Sequence, residues 1–275
     1  MNMSETTRGT IAAGGAAAGA PYLELRGVTV KHADRTVVSG IDLALRPGEF
    51  VALLGPSGCG KSSLLHVLAG LAPVAGGTLR HRGDEATDGL RGRVRVGYVF
   101  QDHRLLPWRT VGQNIEIAMK AAGVPAAEWD ERIERFLGML RVAEHRGAWP
   151  MRLSGGQRQR VSIARALAVD PDVVLMDEPF SGLDEVTGRA MRQELTRLHE
   201  VTRVPTLFVT HSIREALFLA DRVVILSHGP ARVLKTLDVP LERPRRHEDP
   251  ALAGLEAETV ADVLREWDLT EGAAS

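Results

Sequence analysis

Hydrophobic and polar positions divide this chain into segments of two periods. Leu23 and Leu25 alternate with polar neighbours, and Ile41, Leu43 and Leu45 recur at every second position. Such alternation predicts half-buried antiparallel strands. Pro47-Gly48 is a turn pair that leads into the unbroken apolar run Phe50 to Leu54, which suits a strand covered on both faces. Gly76-Gly77 opens a further short strand, and Val94 to Phe100 predicts another that ends at Gln101.

From residue 102 to 168 the period changes. Thr110-x-x-Gln113 is a capping-box pattern that predicts a helix start. Ile133, Phe136, Leu137 and Leu140 recur at i, i+3, i+4 and i+7, and Val161, Ala164 and Leu167 make a similar stripe closed by Asp170-Pro171. Strand patterns then return at Val173 to Met176, Leu207 to Val209 and Val223 to Leu226, with a helix capped by Ser212-x-x-Glu215 between the last two. An α/β core is therefore expected, with a β-layer near its start and helices inserted in its middle. Arg243 to Asp249 is polar and reads as a solvated linker, followed by a short helix near Val260 to Trp267.

At 275 residues the chain is long enough for one large or two small domains. With 34 basic and 35 acidic residues its net charge is −1, which argues against a nucleic-acid partner. Cys59 is the single cysteine, so an internal disulfide and a cysteine-clustered zinc site are excluded. No run approaches the roughly 18 apolar residues of a membrane span. Residues 1–20 are low in complexity, with Ile11 to Ala20 almost entirely Ala and Gly, and are expected to form a disordered tail.

The densest chemical signal is Gly55-Pro56-Ser57-Gly58-Cys59-Gly60-Lys61-Ser62-Ser63, set between the Phe50 strand and an apolar helix. Strand, glycine-rich turn and helix in that order make a phosphate cradle. Backbone N–H groups and the helix N-terminus face the anion, Lys61 adds a point charge, and Ser62 adds a hydroxyl ligand for Mg²⁺. This predicts a nucleoside triphosphate site. Cys59 lies beside Lys61 and a helix start, which favours a modestly reactive thiolate, while burial against the sheet would oppose it.

Asp177 and Glu178 follow the Val173 strand, at the edge where α/β sheets collect ligands. Asp177 is placed for the Mg²⁺ shell and Glu178 for activating water. Gln101 and His211 each end a strand; each reads either as a satisfied core polar group or as a second contact to metal, water or γ-phosphate. Leu153-Ser154-Gly155-Gly156-Gln157 opens the third helix and makes a second anion nest. One γ-phosphate cannot easily use two nests of one lobe, so a second subunit can supply the other.

Together, LSGGQ, GPSGCGKS, VVLMDEP, SGLD and the His211 strand end resemble the ATPase subunit of an ABC transporter, over roughly residues 22–229. The resemblance implies a P-loop NTPase core with an N-terminal antiparallel β-subdomain and an inserted α-helical subdomain. It implies boundaries of 21–229 for the ATPase domain, about 102–168 for its helical part, and 230–275 for a C-terminal extension. It also implies a head-to-tail dimer, a homodimer on this reading, that sandwiches two ATP molecules. Lys61 and Ser62 of one subunit and Ser154 to Gln157 of the other would hold each ATP, and Asp184 matches the loop that crosses the interface. An aromatic residue commonly stacks on adenine, and His32 is the nearest match here. An acidic residue often follows the strand-end histidine, where this chain has Ser212.

Arg104-Leu105-Leu106-Pro107-Trp108 reads either as core of the helical lobe or as a surface that docks a membrane subunit. The run is similar to that of importer ATPases of the nitrate, sulfonate, taurine and hydroxymethylpyrimidine group, and the tail from Leu237 to Arg245 is most similar to aliphatic sulfonate members. That implies two permease subunits docked near Leu105 to Trp108, an extracytoplasmic solute-binding protein, and a place on the cytoplasmic face of the membrane. A soluble ABC ATPase would need a coiled-coil insertion, zinc cysteines, a basic surface or paired ATPase domains. A nucleotide kinase would not explain the LSGGQ nest.

Overall fold

The long strands that alternate in burial and the strands that are buried throughout fall into different sheets of the computed structural model, which describes residues 21–86 and 89–272. The expected tail, residues 1–20, lies outside the described residues. Strand β1 (Leu23–His32) pairs antiparallel with β2 (Arg35–Leu45), matching Leu23 with Leu45 and Leu25 with Leu43. Strand β3 (Phe50–Leu54) follows, then helix α1 (Lys61–Leu68). Strands β4 (Gly76–His81) and β5 (Asp84–Glu85) complete an antiparallel sheet in the order β2-β1-β4-β5. Gly77 has φ of 80°, and a Cβ there would lie 2.3 Å from the Gly27 oxygen, so this crossing of β4 over β1 requires glycine.

The second sheet adds β6 (Val96–Val99), β7 (Val173–Asp177), β8 (Thr206–Thr210), β9 (Arg222–Leu226) and β10 (Val233–Asp238). Its order is β10-β9-β3-β8-β7-β6. The five strands from β9 to β6 are parallel, and β10 joins β9 antiparallel. Every residue of β3, β7 and β8 is buried, as continuous apolar strands require. Phe50, Ala52 and Leu54 face one core and Val51 and Leu53 the other. One core is shared with the antiparallel sheet and α1; the other is shared with the remaining helices.

Between β6 and β7 lie α2 (Val111–Ala121), α3 (Trp129–Met139) and α4 (Gly155–Ala168). The Thr110 capping box forms as expected, with the Gln113 N–H donating to the Thr110 hydroxyl and the Thr110 N–H to the Gln113 amide oxygen. The stripe of Ile133, Phe136, Leu137 and Leu140 is buried. The expected class, a P-loop α/β core with an antiparallel β-layer and inserted helices, is the observed one.

Helix α5 (Glu185–Thr202) has no counterpart in the pattern reading. Met191, Leu195 and Leu198 keep helical spacing, but Arg192, Glu194, Thr196 and His199 are buried beside them, which blurs the apolar stripe. After it come α6 (Ile213–Leu219) and α7 (Pro250–Gly272), the latter much longer than the short helix expected near Val260 to Trp267.

The solvated linker is a correction. Arg245 is buried, and its guanidinium donates to the carbonyls of Leu217, Phe218 and Ala220 at 2.7, 3.2 and 2.7 Å. It thereby serves the orphan carbonyls at the end of α6. His247 stacks on Phe218 with ring centroids 4.0 Å apart. Arg243 reaches the Leu219 oxygen at 3.1 Å, Asp221 at 2.5 Å and the ring of His199 at 3.1 Å. Arg243, Arg245 and His247 turn inward to buried partners, while Arg246 and Glu248 face water.

His199 lies edge-on to Phe50 with centroids 5.0 Å apart. Burial, reinforced by the charge of Arg243, pushes its ring down to about 4. The unfolded chain takes up this proton near pH 6.5 and the folded chain only near 4, so acidification through that window favours unfolding. Relative to His199→Asn, the wild-type chain should lose stability as pH falls from 7.5, by roughly 3 kcal/mol at pH 4. Urea midpoints measured across that range check this; parallel pH profiles for the two proteins would contradict it.

Candidate nucleotide site

Four neighbouring parallel strands end at one edge of the sheet. Strand β3 delivers Gly55 to Ser63, β8 delivers His211, β7 delivers Asp177 and Glu178, and β6 delivers Gln101 two residues past its end. The sequence could place each residue at a strand end; the strand order makes them adjacent.

In the cradle, Gly58 and Gly60 have φ of 76° and 117°. A Cβ on Gly60 would lie 2.5 Å from the Val37 oxygen, so the loop presses against β2. Helix α1 starts at Lys61, whose Nζ donates to the Gly55 and Pro56 carbonyls at 2.9 and 2.8 Å. The Ser62 hydroxyl donates to Asp177 Oδ1 at 2.9 Å. Burial raises the Asp177 carboxyl above the usual range, the Ser62 bond lowers it, and the charge of Glu178 raises it again. A cation beside this pair would relieve both raising effects.

Glu178 is the hub of the site. Its Oε2 lies 3.2 Å from His211 Nδ1 and 3.5 Å from Gln101 Nε2, and its Oε1 lies 3.9 Å from Lys61 Nζ. Its backbone has φ of 42°, the left-handed region that a non-glycine residue occupies at a cost. Such strain at a residue ringed by the other polar groups is what a site held in a working geometry contains.

His32, at the end of β1, is exposed, and its Nε2 lies 2.8 Å from the Ser63 hydroxyl. Cys59 corrects the expectation of a reactive thiol. It is buried, and burial raises the thiol more than nearby Lys61 lowers it. Its sulfur packs 3.2 Å from the position of a Cβ on Gly55.

The second nest has different neighbours. Ser154 caps α4, accepting from the Gln157 N–H at 3.2 Å, while the Ser154 N–H donates to the Gln157 amide oxygen at 2.8 Å. Three further residues hold this nest, and sequence reasoning passed over them. His103 Nε2 donates to the Gly155 carbonyl at 3.1 Å, the Gln157 amide donates to His145 Nε2 at 2.8 Å, and a Cβ on Gly156 would meet the Thr187 methyl at 2.6 Å. Thr187 also donates its N–H and hydroxyl to Asp184, at 3.0 and 2.6 Å, holding that carboxyl below its usual range. Asp184 and Ser154 to Gln157 thus belong to one cluster, and Lys61, Asp177 and Glu178 to another. The capping pattern of Asp184 and Thr187 was readable in sequence; the His103 and His145 contacts carry no local signal.

A family profile described as ABC transporter matches residues 38–181. The aliphatic sulfonates import ATP-binding protein SsuB 1 of Mesorhizobium japonicum is 42% identical over 241 residues, covering 87% of each chain. The chain belongs to the ABC transporter family. The corresponding SsuB protein of Ralstonia nicotianae is 43% identical over 235 residues, covering 86% of this chain and 79% of the relative. Among solved structures, a dimeric post-hydrolysis state of the ATP-binding cassette MJ0796 bound to ADP and Pi superposes with a TM-score of 0.69. It is 29% identical, and the match covers 80% of this chain and all of that one. As an ABC ATPase, this protein binds and hydrolyses ATP.

Of the two readings of Arg104 to Trp108, the core reading fails for Trp108, which is 67% exposed; Leu105 packs in part against the core. Beside this segment a groove of about 770 Å³ opens between β6, α2 and α4, lined by Tyr98, Phe100, Arg104, Ala118, Ala122 and Arg165 among others. Arg104 lies over the ring of Phe100, 4.2 Å from its centroid.

Proposed function

We propose that this ABC ATPase powers a bacterial importer for aliphatic sulfonates, working as a head-to-tail homodimer beneath two permease subunits. The observation that carries the catalytic part is the ring of Lys61, Gln101 and His211 around Glu178, beside the Ser62–Asp177 pair. The solute rests on the relatives, which are named for aliphatic sulfonate import. Nitrate, taurine and hydroxymethylpyrimidine importers are the alternatives within the same group. On this reading residues 21–229 form the ATPase domain, with about 102–168 as its helical part, and 230–275 form an extension.

The cradle N–H groups, Lys61 and the α1 N-terminus take the triphosphate, with Gly55 to Ser63 as its seat. Lys61, which donates to its own loop carbonyls, turns to the β- and γ-phosphates. His32, exposed at the end of β1 beside Ser63, would stack on adenine. The site fits Mg²⁺ by the chemistry of its donors: Ser62, Asp177 and Gln101 all offer oxygen, and among the described residues no three His, Cys, Asp or Glu side chains cluster as a cage. A hard cation that keeps water and phosphate oxygens is held in this way. Bound there, Mg²⁺ would neutralise charge on the β- and γ-oxygens. Glu178 accepts the proton of the attacking water, Gln101 orients that water, and His211 hydrogen-bonds the γ-phosphate. Ser154, the N–H groups of Gly155 and Gly156, and Gln157 of a second copy close the site from the other side.

The second nest supports a dimer, because its neighbours differ from those of the cradle, exposed Met151 lies three residues before it, and exposed Val186 adjoins Thr187, which packs on Gly156. The groove lined by Arg104, together with exposed Trp108 four residues on, supports permease docking, since a short helix fits a cleft with apolar and cationic walls. Among the described residues no helix is long and apolar enough to cross a membrane. The importer reading, which rests on the relatives, puts the subunit at the cytoplasmic face of the membrane. An extracytoplasmic binding protein would present the solute to the permease.

In a strain deleted for this chain, the wild-type gene should restore growth on an alkanesulfonate as sole sulfur source, and Glu178→Gln should not. The purified variant should still bind ATP while its turnover falls about 10²–10⁴-fold. Near-normal hydrolysis would remove Glu178 from the mechanism, and restoration on taurine or nitrate alone would transfer the solute assignment.

Trp108→Ala should leave the ATPase of the isolated subunit within about twofold while weakening permease association by about tenfold or more, read by co-purification. An unfolded variant, or unaltered association, would contradict docking through Trp108.

A further inference from the structure

Strand β9 runs parallel to β3, so its last residue emerges beside the first residue of the cradle. A Cβ on Gly55 would lie 3.2 Å from the Cβ of Leu226 and 3.6 Å from its carbonyl oxygen. The turn that follows continues along the cradle. A Cβ on Gly229 would come within 3.9 Å of Cys59 Cα, and the Ala231 N–H donates to the Val37 carbonyl, the same oxygen against which Gly60 is packed. Residues 226–231 thus form an outer wall for Gly55, Cys59 and Gly60.

That wall is fastened from two directions. Inside the turn, the Ser227 hydroxyl donates to the carbonyls of His228 and Pro230 at 2.8 and 3.2 Å and accepts from the Arg232 N–H at 3.0 Å. From outside, Trp267 of α7 donates its indole N–H to the Leu226 carbonyl at 3.1 Å, and its ring meets His228 edge-on with centroids 5.4 Å apart. The oxygen that accepts from Trp267 is the one facing Gly55. Helix α7 is itself anchored independently, by the Lys235–Asp262 ion pair to β10 and by the burial of Leu252, Thr259 and Val263.

We infer that Trp267 is a positioning residue for the phosphate cradle: by holding the Leu226 carbonyl and His228, it fixes the wall against which Gly55 and Cys59 pack, so the C-terminal helix sets how tightly the site closes on a triphosphate. The inference rests on the ATP reading of the cradle proposed above. Its effect falls on nucleotide affinity rather than on the chemical step, because Glu178, Gln101 and His211 lie on other strands. A cradle whose wall is loose must be ordered when the triphosphate arrives, and that ordering is subtracted from the binding energy.

The test compares Trp267→Phe, which keeps a ring but lacks the N–H, with Asp262→Asn, which loosens α7 without touching Leu226. Both are made in the full chain. For Trp267→Phe the KM for MgATP should rise about three- to tenfold, the size expected for one net hydrogen bond, with kcat unchanged. The MgATP Kd, measured calorimetrically in a Glu178→Gln background, should rise equally. Amide exchange in the peptide spanning residues 53–62 should quicken. Asp262→Asn should lower the melting temperature and leave the KM as in the wild type. An unchanged KM and Kd in Trp267→Phe would overturn the inference, as would an equal loss of affinity in Asp262→Asn, which would make α7 a general stabiliser. A wild-type chain that binds no MgATP would instead overturn the nucleotide reading and this inference with it.

Discussion

Strands β3, β8, β7 and β6 run side by side and in the same direction, and the site exists because of that adjacency. Each strand ends in one short piece of chemistry, and the sheet spacing of about 4.8 Å brings the pieces within reach of one another. The Ser62–Asp177 hydrogen bond ties the phosphate helix to β7, and the contacts of Glu178 tie β7 to its two neighbours. Full burial of β3, β7 and β8 keeps this edge rigid, so the polar groups at their ends hold their places without support from solvent.

On the proposed reading a triphosphate uses both the cradle and a second nest, which the fold builds elsewhere. Ser154 to Gln157 is held by His103, His145 and Thr187, and Asp184 shares Thr187 with it. Hydrolysis on this account requires two copies, each supplying what the other lacks. The groove between β6 and the inserted helices is lined by Phe100 and Arg104 on either side of Gln101, so the surface proposed for the permease and a residue proposed for catalysis share one short stretch of chain.

Much of this was legible before the structure. Residues whose spacing dictates a turn and a helix start, such as Gly55 to Ser63 or Ser154 to Gln157, announced their local conformation. Continuous apolar runs announced buried strands. What stayed hidden was polar burial. The stripe of α5 is interrupted by Arg192, Glu194 and His199, and Arg243 to His247 has the composition of a linker while it packs against α6. Partners for such groups come from distant parts of the chain, and no periodicity reports them. The left-handed backbone of Glu178 was invisible for the same reason, and the burial of Cys59 could be weighed but not decided: both depend on how separate strands meet.

The central claim is that each ATP is held between the cradle of one copy and the Ser154 nest of another. Sedimentation of the Glu178→Gln chain, with and without Ser154→Arg, tests it most directly. In MgATP the Glu178→Gln chain should sediment as a dimer, and in ADP as a monomer. Adding Ser154→Arg should leave a monomer that still binds MgATP at its own cradle. A Ser154→Arg chain that dimerises in MgATP as fully as its parent would contradict the account.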